Sequence, residues 1–171
     1  MPSTGIDPSI LDDFLQESLT VVDQCIELLE IIESNPSEVE RLEEFANLID
    51  RVMGGGKNLA IGLSQEHALH LIVDYCAVCK SVGYQSSRIQ NNDQLYDIAV
   101  ALLQDAVEMV RTLFERFDTS RSELKKLFTT TFLDRLKWMS VQFDEIEKNK
   151  KSSGPKMEQN EIDELLKKLG L

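Results

Sequence analysis

The stretch that decides the fold class is Asp7-Pro8-Ser9-Ile10-Leu11-Asp12-Asp13-Phe14-Leu15-Gln16-Glu17-Ser18-Leu19-Thr20-Val21-Val22-Asp23-Gln24-Cys25-Ile26-Glu27-Leu28-Leu29-Glu30. Aspartate followed by proline is a helix start, because the carboxylate accepts the free amides of the first turn and proline fits the first helical position. Beyond it Ile10, Phe14, Leu15, Val21, Val22, Ile26, Leu29 and Ile32 keep mostly to three- and four-residue spacings, so they share one face of a helix over about residues 8 to 33.

Working outward, Asn35-Pro36-Ser37 breaks this helix. Ser37-Glu38-Val39-Glu40 reads as a capping box opening a second one, with Val39, Leu42, Phe45, Ala46, Ile49, Val52 and Met53 on its apolar side. Ser64 is the expected cap of a third helix, which carries Leu69, Ile72, Val73, Cys76 and Val82 and ends at Gly83. After the polar stretch Gln85 to Asn92, a fourth helix is predicted over Asp93 to Phe117, with Leu95, Ile98, Leu102, Val107, Val110, Leu113 and Phe114 as its core side. A fifth is predicted from Ser120 to near Lys148, with Phe132, Trp138, Met139 and Phe143 packing inward. No run alternates apolar and polar residues between turn signals, as a strand would.

Length and charge narrow the class further. The chain has 171 residues, enough for one core and an appendage, and its 42% hydrophobic and 28% charged residues are ordinary for a folded protein. A formal charge of −12 opposes a nucleic-acid surface, which needs clustered cations against phosphate. No stretch reaches the about 20 apolar residues that cross a bilayer, and no signal peptide is seen, so a cytoplasmic location without membrane contact is expected. Cys25, Cys76 and Cys79 are an odd number without a disulfide-framework spacing and are expected to be reduced. Cys76-x-x-Cys79 lacks a second pair and sits in an apolar helix, so it reads as core. His67 and His70, with Asp74 a turn further on, read as a polar pair rather than metal ligands; no metal or cofactor is expected.

The segment Phe45-Ala46-Asn47-Leu48-Ile49-Asp50-Arg51-Val52-Met53-Gly54-Gly55 resembles the histidine phosphotransfer (HPt) domain, over about residues 8 to 83. In that family a helix carries F-x-x-A-H-x-[LIV]-K-G-[GS]: the histidine takes the phosphoryl group, the lysine assists, and the glycines let a response regulator come close. Here Asp50 stands at the histidine position and Met53 at the lysine position. The resemblance therefore implies a pseudo-acceptor face of Asp50, Met53, Gly54 and Gly55, and no phosphotransfer through position 50.

At the far end, residues 149–156 hold no apolar side chain and read as a flexible linker. Residues 157–171 follow, where Ile162, Leu165, Leu166 and Leu169 form a narrow apolar stripe on a helix too short to stand alone in water. This tail resembles the C-terminal helix of the CheZ phosphatases and the N-terminal peptide of the FliM switch proteins, both of which bind phosphorylated CheY. Gln159, Glu161, Ile162, Asp163, Leu165, Leu166, Leu169 and Gly170 fall on their combined pattern. The resemblance implies that Gln159, Ile162, Asp163, Leu165, Leu166 and Leu169 contact a CheY-like response regulator. The other reading is a stripe that packs onto its own bundle.

CheZ-like phosphatases also use D-x-x-x-Q on a helix to orient the attacking water, a spacing met here once, at Asp12 and Gln16. The E-x-x-N of the CheC and CheX phosphatases is matched by Glu44 and Asn47, which would share a helix face with Asp50. The expectation is thus an all-α protein. Residues 1–148 form an antiparallel bundle, an HPt-like four-helix core plus an extra helix, and a short C-terminal docking helix is flexibly tethered to it. Its expected work is chemotaxis or motility signalling: binding a CheY-type regulator, with a CheA-type kinase complex or the flagellar switch as further partners and Mg2+ entering only through the regulator. Dephosphorylation of CheY, a non-signalling structural bundle and a homodimer stay open.

Overall fold

The computed structural model describes residues 5–149 and 161–171. Among them the regular structure is seven α-helices, with no strand: α1 (Pro8–Ile32), α2 (Leu42–Ala60), α3 (Ala68–Ser86), α4 (Asp93–Glu115), α5 (Arg121–Lys125), α6 (Thr130–Asn149) and α7 (Glu161–Lys168). No helix of the described residues is long and apolar enough to cross a membrane.

Helices α1 to α4 form an up-down-up-down bundle in which each packs against its neighbours in sequence and α1 closes the ring against α4. The antiparallel register is visible in the cross-contacts. Phe14 of α1 faces Gly55 of α2, whereas Phe45 and Asp50 of α2 meet Gly83 and Lys80 of α3. Phe14 also meets Phe114 edge to face at 6.0 Å, while at the other end of the same pair the Tyr96 hydroxyl donates to the Ile32 carbonyl at 2.7 Å.

Helix α3 is buried on almost every side, Tyr75, Cys76, Val78, Cys79 and Val82 being at most 1% exposed. It needs this shelter because its sequence is apolar nearly all round. Neighbours α2 and α4 cover it within the bundle, and α5, α6 and α7 cover its outer side. Helix α6 runs parallel to α3, with Phe132 near Tyr75 and Glu147 near Arg88, and antiparallel to α4, where Arg135 pairs with Asp105 at 2.6 Å.

Several local expectations need correction. Ser37 does not cap α2: its hydroxyl donates to Asn35 Oδ1, and Pro36–Arg41 is a 3-10 turn with Glu38 off helical geometry (φ −95°, ψ 15°), so the α-helix proper starts at Leu42. Helix α3 is capped by the imidazole of His67, whose Nδ1 accepts the Leu69 amide at 3.1 Å, rather than by Ser64. It continues past Gly83 to Ser86 because that glycine is needed inside the helix, where Phe45 lies against it. The predicted fifth helix is two. The break falls at Lys126 to Thr129, and the Thr129 hydroxyl caps the new start by accepting the Phe132 amide at 3.2 Å. Trp138 and Ile98, expected inside, are 45% and 38% exposed and line an open pocket of about 430 Å³ between α4 and α6.

Candidate functional site

The row proposed on α2 exists. Glu44, Asn47 and Asp50 are all exposed at successive three-residue steps, as the helical repeat requires. Glu44 is held by Arg41, whose Nε lies 3.2 Å from its Oε2. Among the described residues no hydrogen bond engages the Asn47 side chain. Asp50 pairs with Lys80 of α3, Nζ to Oδ1 at 2.8 Å, both side chains about half exposed. No sequence pattern singled out Lys80. Its role follows from α2 and α3 being antiparallel, a relation fixed by the fold.

The three glycines beside this row do different things. Gly54 is exposed, and a Cβ there would meet nothing within 4 Å. A Cβ added at Gly55 would stand 3.2 Å from the ring of Phe14, and one added at Gly56 would stand 2.7 Å from a methyl of Val73. Gly54 alone therefore leaves bare backbone open to a partner, while the other two let α1 and α3 approach α2. Met53 is 7% exposed and turned into the core, so it does not belong to the open face on which the HPt resemblance placed it. Asp12 and Gln16 are exposed on α1, and no hydrogen bond or ion pair among the described residues joins either side chain to α2.

The tail packs on the bundle, the second of the two readings its stripe allowed. Ile162, Leu166 and Leu169 are 1%, 2% and 0% exposed, in the same core as the bundle, with α7 lying antiparallel to α3 and against α6. Leu165 and Asp163 are half-buried. The apolar stripe read as a docking face for a partner is thus covered by the chain's own bundle. Polar contacts mark both ends. Ser81 Oγ donates to Glu161 Oε2 at 3.2 Å, and Lys168 Nζ lies 3.4 Å from Asp74 Oδ1. Helix α7 ends in a left-handed Gly170 (φ 76°). The Gly170 amide reaches the Lys167 carbonyl and the Leu171 amide the Leu166 carbonyl, a closure that folds Leu171 back toward the core. The expected linker beyond Asn149, and Gln159, lie outside the described residues.

His67 and His70 are half-buried neighbours with different hydrogen-bond partners. His67 caps α3, and burial with the neighbouring His70 holds its imidazole below the usual value, partly opposed by Asp118; His70 Nε2 faces the Leu63 carbonyl at 3.5 Å. No cluster of three or more His, Cys, Asp or Glu among the described residues could hold a metal ion.

No protein family, curated protein or solved structure matches this chain. The likeness to HPt domains and to the CheZ and FliM peptides rests on the residues quoted above.

Proposed function

We propose that this chain is a cytoplasmic chemotaxis or motility signalling protein that binds a CheY-type response regulator, using its C-terminal helix as the tether and the exposed row on α2 as the facing surface. The observation that carries the reading is the open ledge at Asp50 and Gly54 on an antiparallel four-helix bundle. A carboxylate stands there in solvent beside backbone that no side chain shields, so another protein can come close at the place where an HPt domain meets its regulator. With Met53 buried, the cation at this ledge comes from Lys80. The ledge recognises rather than transfers, because position 50 holds no imidazole.

The test titrates a fluorescent CheY-type regulator, activated with beryllofluoride and Mg2+, with the full chain, with Asp50→Arg, and with a chain lacking residues 157–171. Loss of the tail should weaken binding at least about tenfold, as expected when one of two linked contacts is removed. Charge reversal at the ledge should slow association at low salt by about tenfold. Unchanged binding in both variants, or no binding by the full chain, removes the reading.

A phosphatase reading is favoured by one feature, the Asn47 amide, which is exposed, makes no hydrogen bond among the described residues and stands one turn from Asp50. Such an amide can orient a water for attack on an aspartyl phosphate. Faster loss of phosphate from the regulator, abolished by Asn47→Ala with binding intact, would establish it; phosphate loss at the regulator's own rate leaves an adaptor.

A further inference from the structure

The outer side of α3 is built to receive a helix. Asp74, Ala77, Val78, Ser81 and Gln85 recur at three- and four-residue steps along it, with small residues at the positions where a second helix comes near. The resident is α7, seated between α3 and α6.

We propose that this groove is a receptor for the chain's own C-terminal helix, and that α7 exchanges between the groove and the response regulator. The buried face, Ile162, Leu166 and Leu169, is the face that the regulator reading requires, so the two occupancies exclude each other. The competition part rests on the function proposed above; the groove assignment does not.

The charges at the groove are mixed, and this makes the seat adjustable. At one end Asp74, with a side chain only 15% exposed, lies between Arg121 at 3.8 Å and Lys168 of α7 at 3.4 Å, which favours docking. At the other end, where α6 packs on α7, Asp144 of α6 lies within electrostatic reach of Asp163 of α7. Burial, and after it repulsion by Asp163, raises the Asp144 carboxyl above its usual value, with Lys148 partly offsetting it. One carboxylate on the bundle thus holds α7 and another pushes it away. The eleven residues 150–160 between α6 and α7 can span at most about 40 Å, a length that would let α7 reach a partner without unwinding α6.

The two carboxylates give an experiment with opposite signs, using the full chain and substituting only bundle residues, so that the tail offered to the regulator is unchanged. Asp144→Lys replaces repulsion of Asp163 by attraction; Asp74→Asn removes the partner of Lys168. Hydrogen exchange of the amides in 161–171 reads the seat, and titration with the beryllofluoride-activated regulator reads the competition. Asp144→Lys should raise α7 protection by roughly threefold to tenfold and weaken regulator binding by the same factor; Asp74→Asn should shift both the other way. Protection that moves in neither variant overturns the groove assignment, and protection that moves while affinity stays fixed overturns the competition. Absence of any regulator binding, with protection still following the charges, supports the groove and discards the function proposed above. Protection that rises with protein concentration would seat α7 in a second copy and overturn the assignment to its own chain.

Discussion

Replacing Gly83 by alanine sets a methyl carbon 2.6 Å from Cδ1 and 3.1 Å from Cε1 of Phe45, with the Leu42 carbonyl oxygen 3.6 Å away. Carbon atoms settle at about 3.5–4.0 Å, so close to 1 Å must be found. The Phe45 ring is fully buried in the core, so any shift has to be taken up by its packed neighbours. Overpacking of this kind costs about 1–3 kcal/mol. Alanine recovers about 0.5–1 kcal/mol of it because glycine is a poor helix residue. Gly54→Ala gains the same helix preference with nothing in its way, so the difference between the two variants isolates the α2–α3 contact at about 1–3 kcal/mol. Urea denaturation followed by far-ultraviolet circular dichroism measures it. With a slope of about 1–3 kcal/mol per molar urea, the two midpoints should separate by roughly 1 M, Gly54→Ala lying above wild type and Gly83→Ala below. A Gly83→Ala protein as stable as Gly54→Ala would mean that α2 and α3 do not meet closely there, and the antiparallel register that brings Lys80 to Asp50 would fall with it.

Two further outcomes follow from buried ionisable groups. Burial pushes the thiols of Cys25 and Cys79 up to about 12 and that of Cys76 well above its usual value, so all three should resist a disulfide reagent at mildly alkaline pH and react only as the protein unfolds; prompt reaction of native protein would show a more open core around α3. Asp144 is raised by burial and by Asp163, so the docked state takes up this proton before the undocked state. Its stabilising contribution appears as pH falls through the raised value and is absent once both states are ionised. Protection of α7 amides, corrected for the intrinsic pH dependence of exchange, should therefore gain a component from neutral toward mildly acid pH that Asp144→Asn lacks; parallel profiles for the two proteins would refute it.

Periodicity made α1 and α4 legible almost to the residue, because each has one buried face and a clear start: Asp7 caps α1, accepting the Ser9 amide at 2.9 Å, and Asn92 caps α4 through the Leu95 amide at 3.0 Å. The ends of α2 and α3 were less legible, because their signals compete. A capping box at Ser37 lost to a 3-10 turn after Pro36, and glycines that usually end helices were retained inside them to admit Phe14, Val73 and Phe45. Spacing found the α2 row because it is a property of one helix. Lys80 could not be found in that way, since its place depends on which helix lies beside which.

The same distinction explains why the letters of the tail leave two readings open. An amphipathic helix announces only that it needs a groove, and nothing in its own letters says whose. The answer lies in α3, which keeps its buried residues on more sides than two bundle neighbours can cover. A four-helix bundle of α1 to α4 alone would leave the outer stripe of α3 in water, and α5, α6 and α7 supply the missing layer. Helix α7 is a short part of that layer, eight residues long and repelled at one end by Asp144. A partner can remove it provided the partner offers an apolar groove of its own and recovers more than the exposed α3 stripe loses. Displacement by a competing groove, rather than spontaneous detachment, is the event that would turn this docked helix into a signal.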